Sequence, residues 1–314
     1  MKELKEYNVD YSYIPIIAGP TASGKSSLAI SLAQKIDGEI ISCDSMQIYK
    51  TLDIGTAKVT KEEQAMAPHH MIDIVDPDVS FSVSDFVCKA LEIIEDILKR
   101  GKMPILCGGT GQYISALYEG IKYVDEPIDQ KIVDSLYEEA EKDGIDDIYS
   151  KLKTADPEAA QKIHKNNTRR VIRAYAVYLA TGKTQTQWNK ESKSEGPMYP
   201  FKLFTLDYDR NIIYDRINKR VDQMIEEGLV DEVRHIYDST DILNSTARQA
   251  IGYKELFDYL DDECTLDRSI YEIKLRSRHY AKRQLTWFRY MKDRHIINID
   301  DIPATLNYII DQIR

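Results

Sequence analysis

Apolar residues along this 314-residue chain follow two rhythms. Short unbroken runs come first: IPIIA at 14–18, EIISC at 39–43, MIDIV at 71–75 and PILC at 104–107. Runs of this length closed by glycine or polar residues predict buried strands. Between them the spacing changes to threes and fours. Leu28, Leu32 and Ile36 recur on one helical face after a glycine-rich turn. A second helix is predicted from an N-cap at Ser84 to Arg100, with Gly101 stopping it. Strand alternating with helix is the pattern of a parallel sheet covered on both faces, so residues 1–121 read as the first part of a doubly wound α/β core. Over 122–198 the strand-like runs vanish and charged helical stretches replace them, which predicts an inserted all-helical subdomain. FKLFTLD at 201–207 resumes the sheet. Helices are predicted over 211–238, 247–260 and 268–291, and HIINI at 295–299 as a late strand, so 199–314 returns to the core.

Composition narrows the class. Hydrophobic residues make up 43% and charged residues 30%, ordinary values for a globular protein. No run approaches the length of a transmembrane helix, and the N-terminus lacks a basic start followed by a long apolar stretch. A cytoplasmic protein without a membrane anchor is expected. Cys43, Cys88, Cys107 and Cys264 lie far apart without Cys-x-x-Cys spacing, which predicts free thiols and no structural zinc.

The net charge of -10 alone argues against general nucleic-acid binding. The average hides an asymmetry, however. Residues 162–173 carry five Lys/Arg and no acid, and 268–294 carry nine against Glu272 and Asp293. Two basic faces on an acidic protein can hold one particular polyanion, although either segment alone is also what a solvated helix face looks like.

The sharpest local signal is Gly19-Pro20-Thr21-Ala22-Ser23-Gly24-Lys25-Ser26, which matches G-x-x-x-x-G-K-[ST] between a predicted strand and a predicted helix. Such a loop turns successive backbone N–H groups toward phosphate oxygens at the positive end of a helix. Lys25 adds a full charge, and the Ser26 hydroxyl is placed to ligate Mg²⁺. The fold class is therefore P-loop NTPase-like. No hydrophobic strand ends in a convincing Walker-B aspartate, since Asp44 and Asp76 follow mixed runs. That weakens a motor or switch ATPase and leaves kinases or other diphosphate-handling transferases.

The second predicted strand delivers Asp44 to the sheet edge where ligands bind in this fold class. There it faces the phosphate loop and could orient an acceptor; the alternative is an Asx-turn capping residue.

Beyond these features, GPTASGKS, DSMQIYKTLDIGTAK (44–58), PHHMID (68–73) and GGTGQYISAL (108–117) resemble the tRNA dimethylallyltransferase, or tRNA isopentenyltransferase, family. IHKNNTRRVIRAYAVYLATGK, DRINKRVDQMIEEGLVDEV, ARQAIGYKEL and RHYAKRQLTWFR follow in order, so the likeness covers about 14–299. The resemblance implies transfer of a dimethylallyl group from dimethylallyl diphosphate to N6 of adenosine at position 37, beside the anticodon, with Mg²⁺. By the same resemblance, residues 19–26 cradle the diphosphate, Asp44 is the general base, Thr110 lies near the reacting centre and Arg220 holds the leaving diphosphate. Asp44, Ser45, Met46 and Gln47 correspond to contacts with a flipped adenine. Arg169, Arg170, Val171, Ile172 and Arg173, and the stretch containing Gln249, Gly252, Tyr253 and Lys254, correspond to residues that touch the tRNA anticodon stem-loop. Many members carry an arginine early in the insertion where this chain has Lys131, so no contact is carried over there.

The chemistry suits these residue types. An exocyclic adenine amine is a poor nucleophile that sheds a proton, which a carboxylate can aim and accept. Allylic C–O cleavage places charge on diphosphate, which amides, Lys25 and Arg220 can stabilise. A base stacked in a loop must be extruded to reach such a site, and the Gln47 amide could then donate to and accept from adenine. Tyr280, Trp287 and Phe288 could stack on bases, with core packing the commoner use. A small-molecule kinase would share the phosphate loop and Asp44 but would not need basic helices. A prenyltransferase of free AMP and a non-catalytic RNA binder are the other readings, and a monomer is expected.

Overall fold

The computed structural model describes residues 1–121, 129–239 and 247–314. The expected domain boundary at 122 lies outside the described residues. The chain forms two compact units, Met1–Tyr118 with Met198–Arg314, and Glu119–Pro197.

In the first unit, six strands form one parallel sheet in the order β3-β2-β4-β1-β5-β6. They are β1 (Ile14–Ala18), β2 (Gly38–Cys43), β3 (His69–His70), β4 (Met103–Gly108), β5 (Phe201–Leu206) and β6 (His295–Ile297). Every residue of β1, β2 and β4 is buried, which is why these strands read as apolar runs without alternation. The helices of this unit's first segment are α1 (Lys25–Ile36), α2 (Lys61–Met66), α3 (Val83–Lys99) and α4 (Gly111–Tyr118). The second unit is all helical: α5 (Gln130–Asp143), α6 (Ile145–Ala155), α7 (Pro157–Lys162), α8 (Thr168–Thr181) and α9 (Gln185–Glu195). Leu136, Ile148, Leu152, Val171, Ile172 and Val177 form its apolar centre. The first unit resumes with α10 (Arg210–Glu226), α11 (Leu229–Ser239), α12 (Tyr253–Leu260), α13 (Leu266–Tyr290) and α14 (Ile302–Ile313).

Several local expectations are corrected. MIDIV is not a strand: β3 ends at His70, because Met71 and Asp73 take positive φ of 63° and 55°. His70 Nε2 lies 2.8 Å from Glu39 on β2, a carboxylate held down to about 2 by Arg100 and then His70. The N-cap of α3 is Ser82, in a reciprocal capping box with Asp85, rather than Ser84. The predicted helix 211–238 is two helices, broken where Gly228 adopts φ +100°. The predicted helix 247–260 begins only at Tyr253, after Gly252 at φ +102°. β6 ends at Ile297, and α14, absent from the sequence reading, covers the sheet with Leu306, Ile309 and Ile313.

The cysteines are free, with Cys43 and Cys107 buried and Cys88 exposed. No helix among the described residues is long and apolar enough to cross a membrane.

Candidate active site

The sheet register brings three loops to one edge. Ala18 of β1 and Cys43 of β2 both pair with Gly108 of β4. Gly19, Asp44 and Gly109 therefore leave the sheet at the same level. With β4 between them, β1 and β2 are about 10 Å apart at ordinary strand spacing, room for a small extended ligand.

The phosphate loop follows β1. Gly24 sits at φ +85°, a backbone conformation that side chains with a Cβ rarely adopt, so glycine is favoured there. Ala22 also takes a positive φ, 61°, at a cost of about 1–2 kcal/mol for an L-residue. The buried Ser23 hydroxyl has no partner among the described residues. Lys25 and Ser26 open α1, and Lys25 Nζ donates to the Pro20 carbonyl at 3.3 Å. Burial lowers the Lys25 pKa, opposed by the Cys107 and Asp44 charges.

Across β4, Asp44 begins a tight turn. Its Oδ1 accepts from the amides of Met46 (2.9 Å) and Gln47 (3.4 Å), so the Asx-turn reading is correct as geometry. That turn fixes the carboxylate, and Asp44 still lines the cavity described below. Thr110 Oγ1 accepts from the Ser45 amide at 3.0 Å, and the Thr110 amide donates to Cys43 O at 3.1 Å. Thr110 thereby staples the end of β2 to the loop after β4.

Gln47 differs from expectation. Its Nε2 donates to the carbonyls of Thr56 (3.3 Å) and Ala57 (3.1 Å), and its Oε1 accepts from Ser42 (3.2 Å). Its amide braces the 53–57 loop instead of offering a free donor–acceptor pair to a base. The same loop is gripped from α11. Glu232 Oε2 accepts from the amides of Asp53 (3.2 Å) and Ile54 (2.8 Å), while Oε1 accepts from Gly55 (3.1 Å) and the Tyr253 hydroxyl (2.5 Å).

These elements enclose a cavity of about 300 Å³. Thr21, Lys25 and Ser26 line one side; Asp44 to Gln47 line another; Arg220 of α10 and Tyr280, Arg283 and Gln284 of α13 complete it. Burial lowers the Arg220 pKa. Burial, and then the Asp44 charge, pushes Tyr280 up to about 12, so its phenol stays a donor at neutral pH. Burial holds the Cys107 thiol up at about 11.

Other expected contacts separate. Gln249 and Gly252 line the cavity, and Lys254 is exposed, but Tyr253 is 1% exposed with its hydroxyl on Glu232. In the helical unit, Arg169, Arg170 and Arg173 are exposed on α8. Val171 and Ile172 are buried on its other face, since about 3.6 residues per turn group 169, 170 and 173 on one side and 171 and 172 on the other. The two basic runs are also less free than their composition suggests. Lys162 pairs with Glu158 and Lys165 with Asp146, while Lys274, Arg276 and Arg289 pair with Asp222, Glu255 and Asp207. Lys282 and Arg283 remain exposed, as does Lys131 at the start of α5. Of the aromatics, Phe288 is buried, Trp287 is 44% exposed and Tyr280 is a cavity wall.

Glu232, Gln284 and Arg283 were not singled out from the sequence. Nothing in their spacing distinguishes them from ordinary helix-surface residues; their importance follows from what folds against them.

A phosphate loop on a doubly wound parallel sheet, facing a fixed carboxylate and an arginine within one cavity, defines a P-loop transferase. Comparison with known proteins narrows the class. The family described as IPP transferase matches residues 47–291, and the one described as isopentenyl transferase matches 12–72. The chain is 48% identical over 276 residues to a tRNA dimethylallyltransferase of Bacillus subtilis (strain 168), covering 88% of this chain and 87% of that one. It is 47% identical over 290 residues to the Halothermothrix orenii protein of the same name, covering 92% and 88%. Among solved structures, the tRNA isopentenylpyrophosphate transferase of Bacillus halodurans aligns with a TM-score of 0.71 at 42% identity, covering 96% of each chain. A eukaryotic dimethylallyltransferase acting on tRNA aligns with a TM-score of 0.80 at 34% identity, covering 93% of this chain and 75% of that one. The chain belongs to the IPP transferase family.

Proposed function

We propose that the protein transfers a dimethylallyl group from dimethylallyl diphosphate to N6 of the adenosine at position 37 of tRNA, acting as a monomer in the cytoplasm. The observation that supports this most is the single cavity with Lys25, Ser26 and Arg220 on some walls and Asp44 on another. One end suits a diphosphate, the other an amine. The eukaryotic relative's action on tRNA supports the choice of acceptor.

The Gly19–Ser26 loop, through amides other than that of Thr21, receives the diphosphate together with Lys25 and Arg220. As the allylic C–O bond breaks, negative charge grows on the departing diphosphate and these donors stabilise it without reorganising. The Asp44 carboxylate, its Oδ1 fixed by two amides, aims N6 at the allyl carbon. The new C–N bond forms from the nitrogen lone pair, and the N6 proton passes to Asp44, a contribution of about 10²- to 10⁴-fold. Holding both reactants in line is worth about 7–11 kcal/mol more. Adenosine must leave its stack to enter, at a cost of a few kcal/mol.

Mg²⁺ fits the donor set. Among the described residues no group of three or more His, Cys, Asp or Glu could hold a cation alone. The Ser26 hydroxyl and the diphosphate oxygens would hold it, which is how this ion usually binds with phosphates. When bound, it would neutralise charge on the leaving diphosphate.

Incubation of the protein with an anticodon stem-loop and labelled dimethylallyl diphosphate, in parallel with labelled ATP, tests the proposal. Label is expected in N6-isopentenyladenosine from the first donor only. Phosphoryl transfer from ATP without prenylation overturns it.

A further inference from the structure

We propose that Gln284 is a positioning residue that sets the diphosphate loop in its binding shape, and so governs donor affinity separately from tRNA affinity. The inference rests on the functional reading above and extends it to a residue outside the phosphate motif. Gln284 lies on α13, far along the chain from the loop it touches, and is only 4% exposed. Its Oε1 accepts from the Thr21 amide at 2.9 Å, and its Nε2 donates to the Gly109 carbonyl at 2.9 Å. One side-chain amide therefore joins the loop after β1 to the loop after β4. The fit is close: a Cβ on Gly109 would come within 2.3 Å of Gln284 Nε2.

Two neighbours on the same helix face lock the register. Tyr280, one turn before, contacts both Thr110 and Gln284. Trp287, about one turn after, packs against Gly111, and its Nε1 donates to the Ser115 hydroxyl at 2.9 Å. Tyr280, Gln284 and Trp287 stand at i, i+4 and i+7, the spacing that lines up side chains along a helix. A phosphate nest works by aiming its amides inward. Here the Thr21 amide is turned to Gln284 instead, and that bond fixes the bend at Thr21 from which Ala22 enters its positive φ. Without it, the loop must be ordered by the ligand, which weakens apparent affinity.

The test measures dimethylallyl diphosphate and tRNA binding by calorimetry, and both KM values, for wild type, Gln284→Ala and Gln284→Glu. Loss of the two hydrogen bonds predicts about a tenfold weaker donor Kd and a raised donor KM in Gln284→Ala, with tRNA Kd unchanged. The Glu variant guards against general damage to the fold. Deprotonated, it accepts from Thr21 but cannot donate to Gly109; protonated, it reproduces both bonds. Its donor affinity, as a ratio to wild type, is therefore expected to recover as pH falls from 8 to 5.5. Lys25, Asp44, Tyr280 and Arg283, which line the same cavity, are common to both proteins, so their contribution largely cancels in the ratio. Unchanged donor affinity in Gln284→Ala, equal losses for donor and tRNA, or a pH-independent ratio each overturn the proposal. Wild type that binds the donor yet prenylates nothing would instead defeat the functional reading.

Discussion

Two loops that line the cavity draw their shape from different balances of local and distant contacts. Residues 19–26 are shaped mainly from within, by Gly24 at φ +85°, Ala22 at φ +61° and the start of α1, with Gln284 as an outside tie. Residues 53–57 also close a turn of their own, with the Ala57 amide on the Ile54 carbonyl at 3.0 Å and Ala57 at φ +49°, but distant side chains hold them at more points. Their amides converge on Glu232, a side chain from a helix far along the chain, and their carbonyls on Gln47. The phosphate end thus leans mostly on its own backbone with one distant tie, whereas the acceptor end is held by several side-chain bonds from distant elements.

Function should divide along the same line. The largest expected effect is at Asp44, which serves the chemistry between both ends: Asp44→Ala should lower kcat by about 10²- to 10⁴-fold, with tRNA still bound in a filter assay. Next, Lys25→Ala and Arg220→Ala should each lower kcat by about 10²- to 10³-fold in single-turnover kinetics and weaken diphosphate binding, with tRNA affinity little changed. Equal loss of both substrates would erase the division.

A smaller effect belongs to the acceptor loop. Glu232→Ala leaves three amides without their acceptor and should raise the tRNA KM by about tenfold, leaving the donor KM near wild type. Glu232→Gln, which keeps one acceptor oxygen, should fall between. The smallest concerns Cys107, which lines the cavity near Lys25. Its pKa is raised to about 11, so reactive thiolate appears only as pH climbs toward that value. At pH 8, iodoacetamide should modify exposed Cys88 first, and mass spectrometry of the peptides will report the order.

Legibility in the sequence followed the same divide. The phosphate loop and the strands β1, β2 and β4 could be read directly, because buried parallel strands are apolar runs and the loop carries its own glycines. Asp44 could be placed at the sheet edge, yet its Asx turn and its cavity position both hold, so the two sequence readings were not exclusive. The family likeness makes Gln47 a contact to the flipped adenine; the sequence does not show that its amide also donates to Thr56 and Ala57, since that depends on how the 53–57 loop packs. Val171 and Ile172 belong to the tRNA-contacting stretch only by the family likeness; at about 3.6 residues per turn the helix puts them on the face away from Arg169, Arg170 and Arg173. MIDIV has the composition of a strand, and only the positive φ at Met71 and Asp73 reveals that the chain turns away.

The strand order has a consequence for synthesis on the ribosome. β1, the strand that launches the phosphate loop, has β4 on one side and β5 on the other, and β5 emerges only after the whole Glu119–Pro197 unit has been translated. Until Phe201–Leu206 leaves the exit tunnel, the nascent chain carries an apolar strand with one edge open, the kind of surface that holdase chaperones cover. Release of chains truncated within the helical unit should therefore yield aggregates rather than a smaller working enzyme.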